Sequence, residues 1–307
     1  MEALQQLADW PVDHVAAAVI APGREVAAYG DADRVFALAS VTKLLVAQAV
    51  LVAVEEGALD LDTPAGPPGA TVAHLLSHAS GLGPSTGSGG ANGSAGASGS
   101  AGSNGSGGAS GSAGSNGSAG SNGRDAVAEP GTQRIYSSAG YEVLAETVED
   151  ATGIAFGDYL REAVCEPLGM TRTSLTGSAG HGASSSVADL TRFAADLLTP
   201  RLLSPRTADR AREVWFPGID GFTPGYGKFR PNDWGLGPEL KGTKNPHWTA
   251  PSHSPDTFGH FGQAGTFLWV DPVRNAAAVV LTDRPFGPWA KPLWSETNEG
   301  ILADLSA

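Results

Sequence analysis

Residues 41–56, VTKLLVAQAVLVAVEE, are apolar nearly all the way round a 3.6-residue period and contain neither Pro nor Gly. A helix that is apolar on every side predicts burial at the centre of a domain. Gly57 then stops it. Upstream, the apolar run 14–21 (HVAAAVIA), the Pro22-Gly23 pair and residues 25–29 (EVAAY) predict a hairpin behind a short N-terminal helix, with a third short strand at 35–38. Downstream, 70–77, 138–152, 156–164 and 204–214 read as helices, and 186–198 as an amphipathic helix opened by a Ser cap. Two apolar runs, 266–270 (TFLWV) and 276–282 (AAAVVLT), predict strands joined by turn residues, and 289–305 predicts a closing helix. Residues 215–259 are rich in Pro, Gly and Trp without periodicity and read as long surface loops. Strands at both ends with helices between predict an antiparallel sheet built from the two termini, with a helical second lobe.

One stretch breaks this alternation. From 83 to 123 nearly every residue is Gly, Ser, Ala or Asn, with GSAGSNG recurring imperfectly. Such a segment has too little apolar area to offset the entropy of ordering it. It is expected as a flexible loop inserted within a single domain of two lobes spanning 1–307, because candidate chemistry lies on both sides of it. It also inflates the Gly content, so the rest of the chain is more ordinary than the totals suggest.

The formal net charge of −13 disfavours nucleic acid or an anionic membrane as partner, since both require clustered Lys and Arg. A single cysteine, Cys165, excludes an intrachain disulfide and a thiolate metal cluster, and is expected to be a small buried hydrophobe. The first residues lack a basic segment followed by an apolar one, and no apolar run nears the roughly 20 residues of a membrane span. A cytoplasmic location is therefore expected.

Candidate chemistry begins at Ser40-Val41-Thr42-Lys43. An i, i+3 spacing puts hydroxyl and ammonium on one helical face. A serine needs a base, and a lysine serves once burial depresses its pKa. Lys43 stands in an otherwise uncharged apolar run, where a lone cation needs a reason. Next comes Tyr136-Ser137-Ser138, whose phenol can move a proton to a leaving group. Then His260-Phe261-Gly262 immediately precedes a predicted strand, where Gly lets substrate approach a backbone edge.

Each motif alone is weak, and each has a structural alternative: a capping Ser, a half-buried Tyr, a structural His. In this order they resemble the serine β-lactamase and penicillin-binding-protein superfamily, in particular its class C β-lactamase-related and family VIII esterase-like members. LLSHASGL (75–82), EPG before the tyrosine, PLGM (167–170) and HFGQAGTFLWVDP extend the resemblance over nearly the whole chain. It implies an α/β (α+β) fold of the β-lactamase/transpeptidase type and no cofactor. It also implies Ser40 as acylated nucleophile, Lys43 as base and Tyr136 as proton carrier. The N–H groups of Ser40 and Gln263 would then form the oxyanion hole. Ser138, His260 and Gly262 would face substrate, with Gly262 keeping the strand edge open.

Two positions depart from the family pattern. Ser138 stands where an Asn is usual, and His260 where a permanent cation is. Both weaken the case for efficient β-lactam hydrolysis and are tolerated in esterase-like members. The expected substrate is a small ester or amide, with esterase preferred over β-lactamase or D-amino-acid peptidase action because an alkoxide leaves more readily than an amine. A catalytically inactive binding module is the alternative. Gly83-Pro84-Ser85-Thr86-Gly87 matches G-x-S-x-G but has neither a strand before it nor a helix after it, and His74-Leu75-Leu76-Ser77-His78 lacks the Glu of a zinc helix, so His78 is expected to fix a turn. Lys241-Gly242-Thr243 is set aside as a third motif because its order is wrong and no strand is predicted after it.

Overall fold

The computed structural model describes residues 1–22, 24–84 and 125–306. The low-complexity stretch 83–123, with its sequons at Asn92, Asn104 and Asn116, lies outside the described residues apart from Gly83 and Pro84.

Strands from opposite ends of the chain meet at the middle of the main sheet. β1 (Val15–Ala21) pairs antiparallel with β11 (Ala276–Thr282), Val15 opposite Thr282 and Ile20 opposite Ala277. With β2 (Arg24–Tyr29), β10 (Thr266–Asp271), β9 (Phe258–Gly262) and β8 (Glu239–Leu240) the order is β2-β1-β11-β10-β9-β8. The expected sheet from both termini is thus observed.

Both faces of this sheet are covered, which explains why its central strands read as unbroken apolar runs. Side chains alternate between faces along a strand. Ala16, Ala18, Ile20, Leu268, Val279 and Leu281 join one core with the helical part. Ala17, Val19, Phe267, Trp269, Ala278 and Val280 join a second core with the N-terminal 3-10 helix (Ala3–Asp9) and α8 (Ala290–Asp304).

The helical part surrounds α1 (Thr42–Glu55), buried on nearly all sides as its composition requires. α2 (Val72–Leu76) and α3 (Ala139–Thr152) pack together, and α3 ends at Gly153 with φ 72°, a left-handed cap that suits glycine. α4 (Phe156–Leu160) runs on through a π-helical turn (Arg161–Cys165) into α5 (Glu166–Leu168). Cys165 is buried, and desolvation pushes its thiol up to about 12. α6 (Val187–Leu198) lies against the sheet, capped as expected by Ser186, whose hydroxyl accepts the Asp189 N–H at 3.3 Å. α7 (Pro205–Ala211) ends earlier than the sequence suggests. A small sheet, β3-β5-β4, joins Val35–Ala37 (β3), Ser174–Leu175 (β4) and Ala183–Ser186 (β5) beneath the start of α1.

Residues 215–259 differ from expectation. They are surface loops only in part. They hold β6 (Gly221–Thr223), β7 (Gly227–Phe229) and β8, and they bury Trp234 and Trp248 almost completely. The backbone is irregular, so no period appears in the sequence, yet the side chains pack as a core. No helix among the described residues is long and apolar enough to cross a membrane.

Candidate active site

Ser40 sits in a 3-10 turn (Ala39–Val41) that leads into α1. Ala39, just before it, has φ 46°, a left-handed conformation that is costly for a residue with a Cβ. Two long-range contacts hold this turn. Thr266 of β10 donates its hydroxyl to the Leu38 carbonyl at 2.9 Å, and the Thr42 hydroxyl accepts the Ala183 N–H at 3.1 Å.

Lys43, one turn into the helix, is wholly buried. Its Nζ donates to the Gly180 carbonyl at 2.6 Å, to Ser138 Oγ at 3.1 Å and to Ser40 Oγ at 3.4 Å. It also stands 4.8 Å from the Tyr136 ring centroid and 5.3 Å from that of Tyr141. Desolvation lowers its pKa to about 7, partly opposed by Glu142. A sizeable fraction of Lys43 is therefore neutral at physiological pH, which is what a base requires.

Tyr136 and His260 complete the cluster. Burial holds the Tyr136 phenol well above its ordinary pKa, while a hydrogen bond with Ser40 pulls the other way. Its Oη lies 3.3 Å from His260 Nε2, and His260 Nδ1 lies 2.6 Å from the Phe261 carbonyl. The carbonyl fixes the proton on Nδ1, so Nε2 accepts from the phenol. Two directed sets result: the Lys43 ammonium donates to Ser40, and Tyr136 donates to His260, which donates to the Phe261 carbonyl. Burial, helped by the Lys43 charge, lowers the His260 pKa to about 3, so the imidazole is neutral.

The sequence places His260-Phe261-Gly262 before a strand; in the structure these residues are themselves in β9, and the turn to β10 follows them. β8 pairs with β9 only as far as Gly259, opposite Glu239, so no described strand covers the outer edge of 260–262. Gly262 has a further reason to be glycine. A Cβ there would lie 2.3 Å from the Leu38 carbonyl oxygen and 2.5 Å from Thr266 Oγ1. The strand passes directly against the turn that carries Ser40. Gln263 lies in the β9–β10 turn, where its N–H has no acceptor among the described residues and its carbonyl takes the Phe286 N–H at 2.9 Å. Ser138 occupies the N-cap position of α3 without capping it; its hydroxyl is turned to Lys43 instead.

Three participants escape a sequence reading. Gly180 presents its carbonyl to Lys43, and Glu142 holds that loop by accepting from Ser178 Oγ and, at 3.3 Å, from the Gly180 N–H. Only the fold brings these together; the sole local hint is an acidic residue one turn after Ser138. Arg134 is buried two residues before Tyr136 and clamps three segments, donating to the carbonyls of Ser77 (2.6 Å), Trp215 (2.7 Å) and Asn232 (3.0 Å). A charge that close to the phenol was a visible signal. His78 does fix a turn, with φ 57° and its carbonyl bound to the Ile135 N–H, and its ring also lies 4.5 Å from that of Tyr136. His74 bonds Thr71 and stacks on Phe216 instead. Among the described residues no group of three or more His, Cys, Asp or Glu side chains is gathered for a metal.

With this geometry in view, the match of the Beta-lactamase family model to residues 7–296 is decisive. The chain belongs to the beta-lactamase family. It is accordingly a β-lactamase-fold protein of a serine hydrolase family. The crystal structure of a beta-lactamase from Mycobacterium bovis shares 50% identity and a TM-score of 0.86 with this family member, covering 99% of this chain and 100% of that one. EstCE1, a hydrolase with promiscuous acyltransferase activity, superposes with a TM-score of 0.71 over 98% of this chain and 96% of that one; at 19% identity this likeness is one of fold. A Salmonella heidelberg protein named "Putative D-alanyl-D-alanine carboxypeptidase" is 25% identical over 53% of this chain and 48% of its own. The chain thus spans about half the length of the curated relatives it matches.

Proposed function

We propose that this chain is an esterase-type serine hydrolase that acts on small uncharged esters through an acyl-serine intermediate. One observation carries the proposal: the wholly buried Lys43, with a pKa of about 7, beside Ser40 Oγ at 3.4 Å. In its neutral form Lys43 takes the proton from Ser40 as Oγ bonds to the acyl carbon. The N–H groups of Ser40 and Gln263 stabilise the oxyanion. Collapse breaks the bond to the alcohol oxygen, and the Tyr136 phenol, neutral because it is buried, passes a proton to the departing alkoxide. Water then attacks the acyl-serine by the same route in reverse.

The preference for an uncharged ester rests on His260 and Ser138. Both imidazole nitrogens are engaged, one accepting from Tyr136 and one donating to Phe261, and the ring is neutral. His260 therefore offers no cation and no free N–H to a substrate carboxylate, which a β-lactam or a C-terminal D-amino acid would present. Ser138 lacks an amide for a substrate carbonyl. An alkoxide also leaves more readily than an amine and needs less from the proton donor.

The test is hydrolysis of p-nitrophenyl butyrate by the wild type, Ser40→Ala and Lys43→Ala, with intact mass recorded during turnover. Activity in the wild type alone, with an acyl adduct on Ser40, is the expected result. Full activity in Ser40→Ala rejects the nucleophile. Faster opening of a chromogenic cephalosporin than of any short ester rejects the esterase preference, and no turnover or adduct with any substrate favours a binding module.

A further inference from the structure

A cavity lies on the side of β9 away from the Ser40 cluster. Successive strand residues face opposite ways; His260 faces Tyr136, while Phe261 joins the core beneath α8 with Trp248 and Trp294. On that side the 241–251 loop, Tyr226 and α8 border a cavity of about 360 Å³, within the size range of small-ligand sites.

The cavity's charge is opposite to that of the chain. The protein carries 32 Asp and Glu against 19 Lys and Arg, yet Lys241, Lys244 and Lys291 line this cavity and no acidic residue does. Lys244 is already satisfied. Its Nζ donates to Glu239 Oε1 at 2.9 Å and to the carbonyls of Asp233 (2.7 Å) and Leu240 (2.8 Å). Lys291 is exposed; it reaches the Gly225 carbonyl and lies 5.1 Å from the Tyr226 ring centroid. Lys241 is different. It is only 8% exposed, and its ammonium has no hydrogen-bond acceptor and no ion-pair partner among the described residues. Asp271 and Glu299 act on it only at a distance and are engaged elsewhere, Asp271 by Ser254 Oγ at 2.8 Å and Glu299 by the Ser252 N–H at 2.9 Å. The Lys241 stem is buried while its ammonium opens to the cavity without a protein acceptor, so an oxyanion there gains a charge-assisted hydrogen bond that displaces none within the protein.

We propose that this cavity binds a small organic anion through a carboxylate or phosphate group, with Lys241 and Lys291 as cationic contacts and the Tyr226 ring against its body. The site is separate from the Ser40 cluster and stands whether or not the chain is an esterase.

Isothermal titration of the full chain with phenyl phosphate and with citrate, in sodium chloride buffer of near-physiological strength, tests this. Saturable one-to-one binding of at least one probe is expected, weakened about tenfold or more in Lys241→Met and in Lys291→Met, as loss of a charge-assisted contact implies. Which probe binds distinguishes phosphate from carboxylate recognition. Near-UV circular dichroism checks the fold, and Lys291, being exposed, keeps the test valid if Lys241→Met fails to fold. Absence of saturable heat with both probes, or binding unchanged in the lysine variants that fold, overturns the proposal.

Discussion

A lysine deprived of water loses its proton more easily, and in the mechanism proposed for Lys43 that one proton links turnover to stability. Its pKa in the folded chain is about 7 against an ordinary 10.5. Between those values the unfolded chain binds more protons than the folded one, so stability rises with pH across that window and is lost as pH falls through 7. If Lys43 is the base it acts in its neutral form, so kcat/KM for a short ester should rise along a single acid limb centred near pH 7. His260, with its pKa at about 3, adds no limb in that range. Lys43→Met should lose turnover, and its melting temperature relative to wild type should be highest near pH 6 and fall steadily toward pH 10. A flat difference across that range means that Lys43 is not the depressed group. The Ser40–Lys43 pairing was legible because it is local, three residues apart on one helix. The Gly180 carbonyl and Glu142 were not, because a contact between α1, α3 and the loop before β5 is a property of the folded chain alone.

At the scale of elements, β9 sets the distance between the Ser40 turn and the groups that face it. FGHFG has two glycines in five positions, which interrupt the strand preference of its two phenylalanines, so it does not announce a strand. β10 imposes the conformation by pairing Phe267 with Phe261 and Leu268 with His260. One of the glycines that hide the strand, Gly262, lets it approach Leu38 closely, while Gly259 passes against the Leu268 backbone. Gly262→Ala drives a methyl into the Leu38 carbonyl oxygen and must shift either β9 or the Ser40 turn. A displacement of about 1 Å at reacting groups costs on the order of a hundredfold in rate. Ester turnover in Gly262→Ala should therefore fall by about that factor while circular dichroism still shows a folded protein. Retention of wild-type kcat means that the approach is not what positions Ser40. The strands at 15–21, 266–271 and 276–282 were legible for the opposite reason: buried on both faces, they are apolar at every position except Thr266, Asp271 and Thr282 at their ends.

Across the whole molecule, the irregular segment 215–259 has to be fastened to an otherwise regular sheet, and a buried ion pair does this. Glu239 ends the sheet in β8, accepts from Trp248 Nε1 at 2.8 Å and Thr223 Oγ1 at 3.0 Å, and pairs with Lys244 at 2.9 Å; both side chains are essentially inaccessible. Burial pushes the Glu239 carboxyl up, but Lys244 and His247 outweigh it and hold the pKa below its ordinary value. The carboxylate therefore contributes stability above the usual carboxylate range that is lost as pH falls below it. Removing one partner of such a pair leaves an uncompensated charge and costs about 3–5 kcal/mol, whereas removing both charges costs far less. Lys244→Met should lower the melting temperature at pH 7 by several degrees. Glu239→Gln/Lys244→Met, which keeps an acceptor for Trp248, should recover most of that loss and should also lose less stability than wild type between pH 5 and pH 3. If instead the double variant melts as low as the single one, the value of Lys244 lies in its bonds to the Asp233 and Leu240 carbonyls. The segment is then fastened to the sheet by backbone hydrogen bonds rather than by charge.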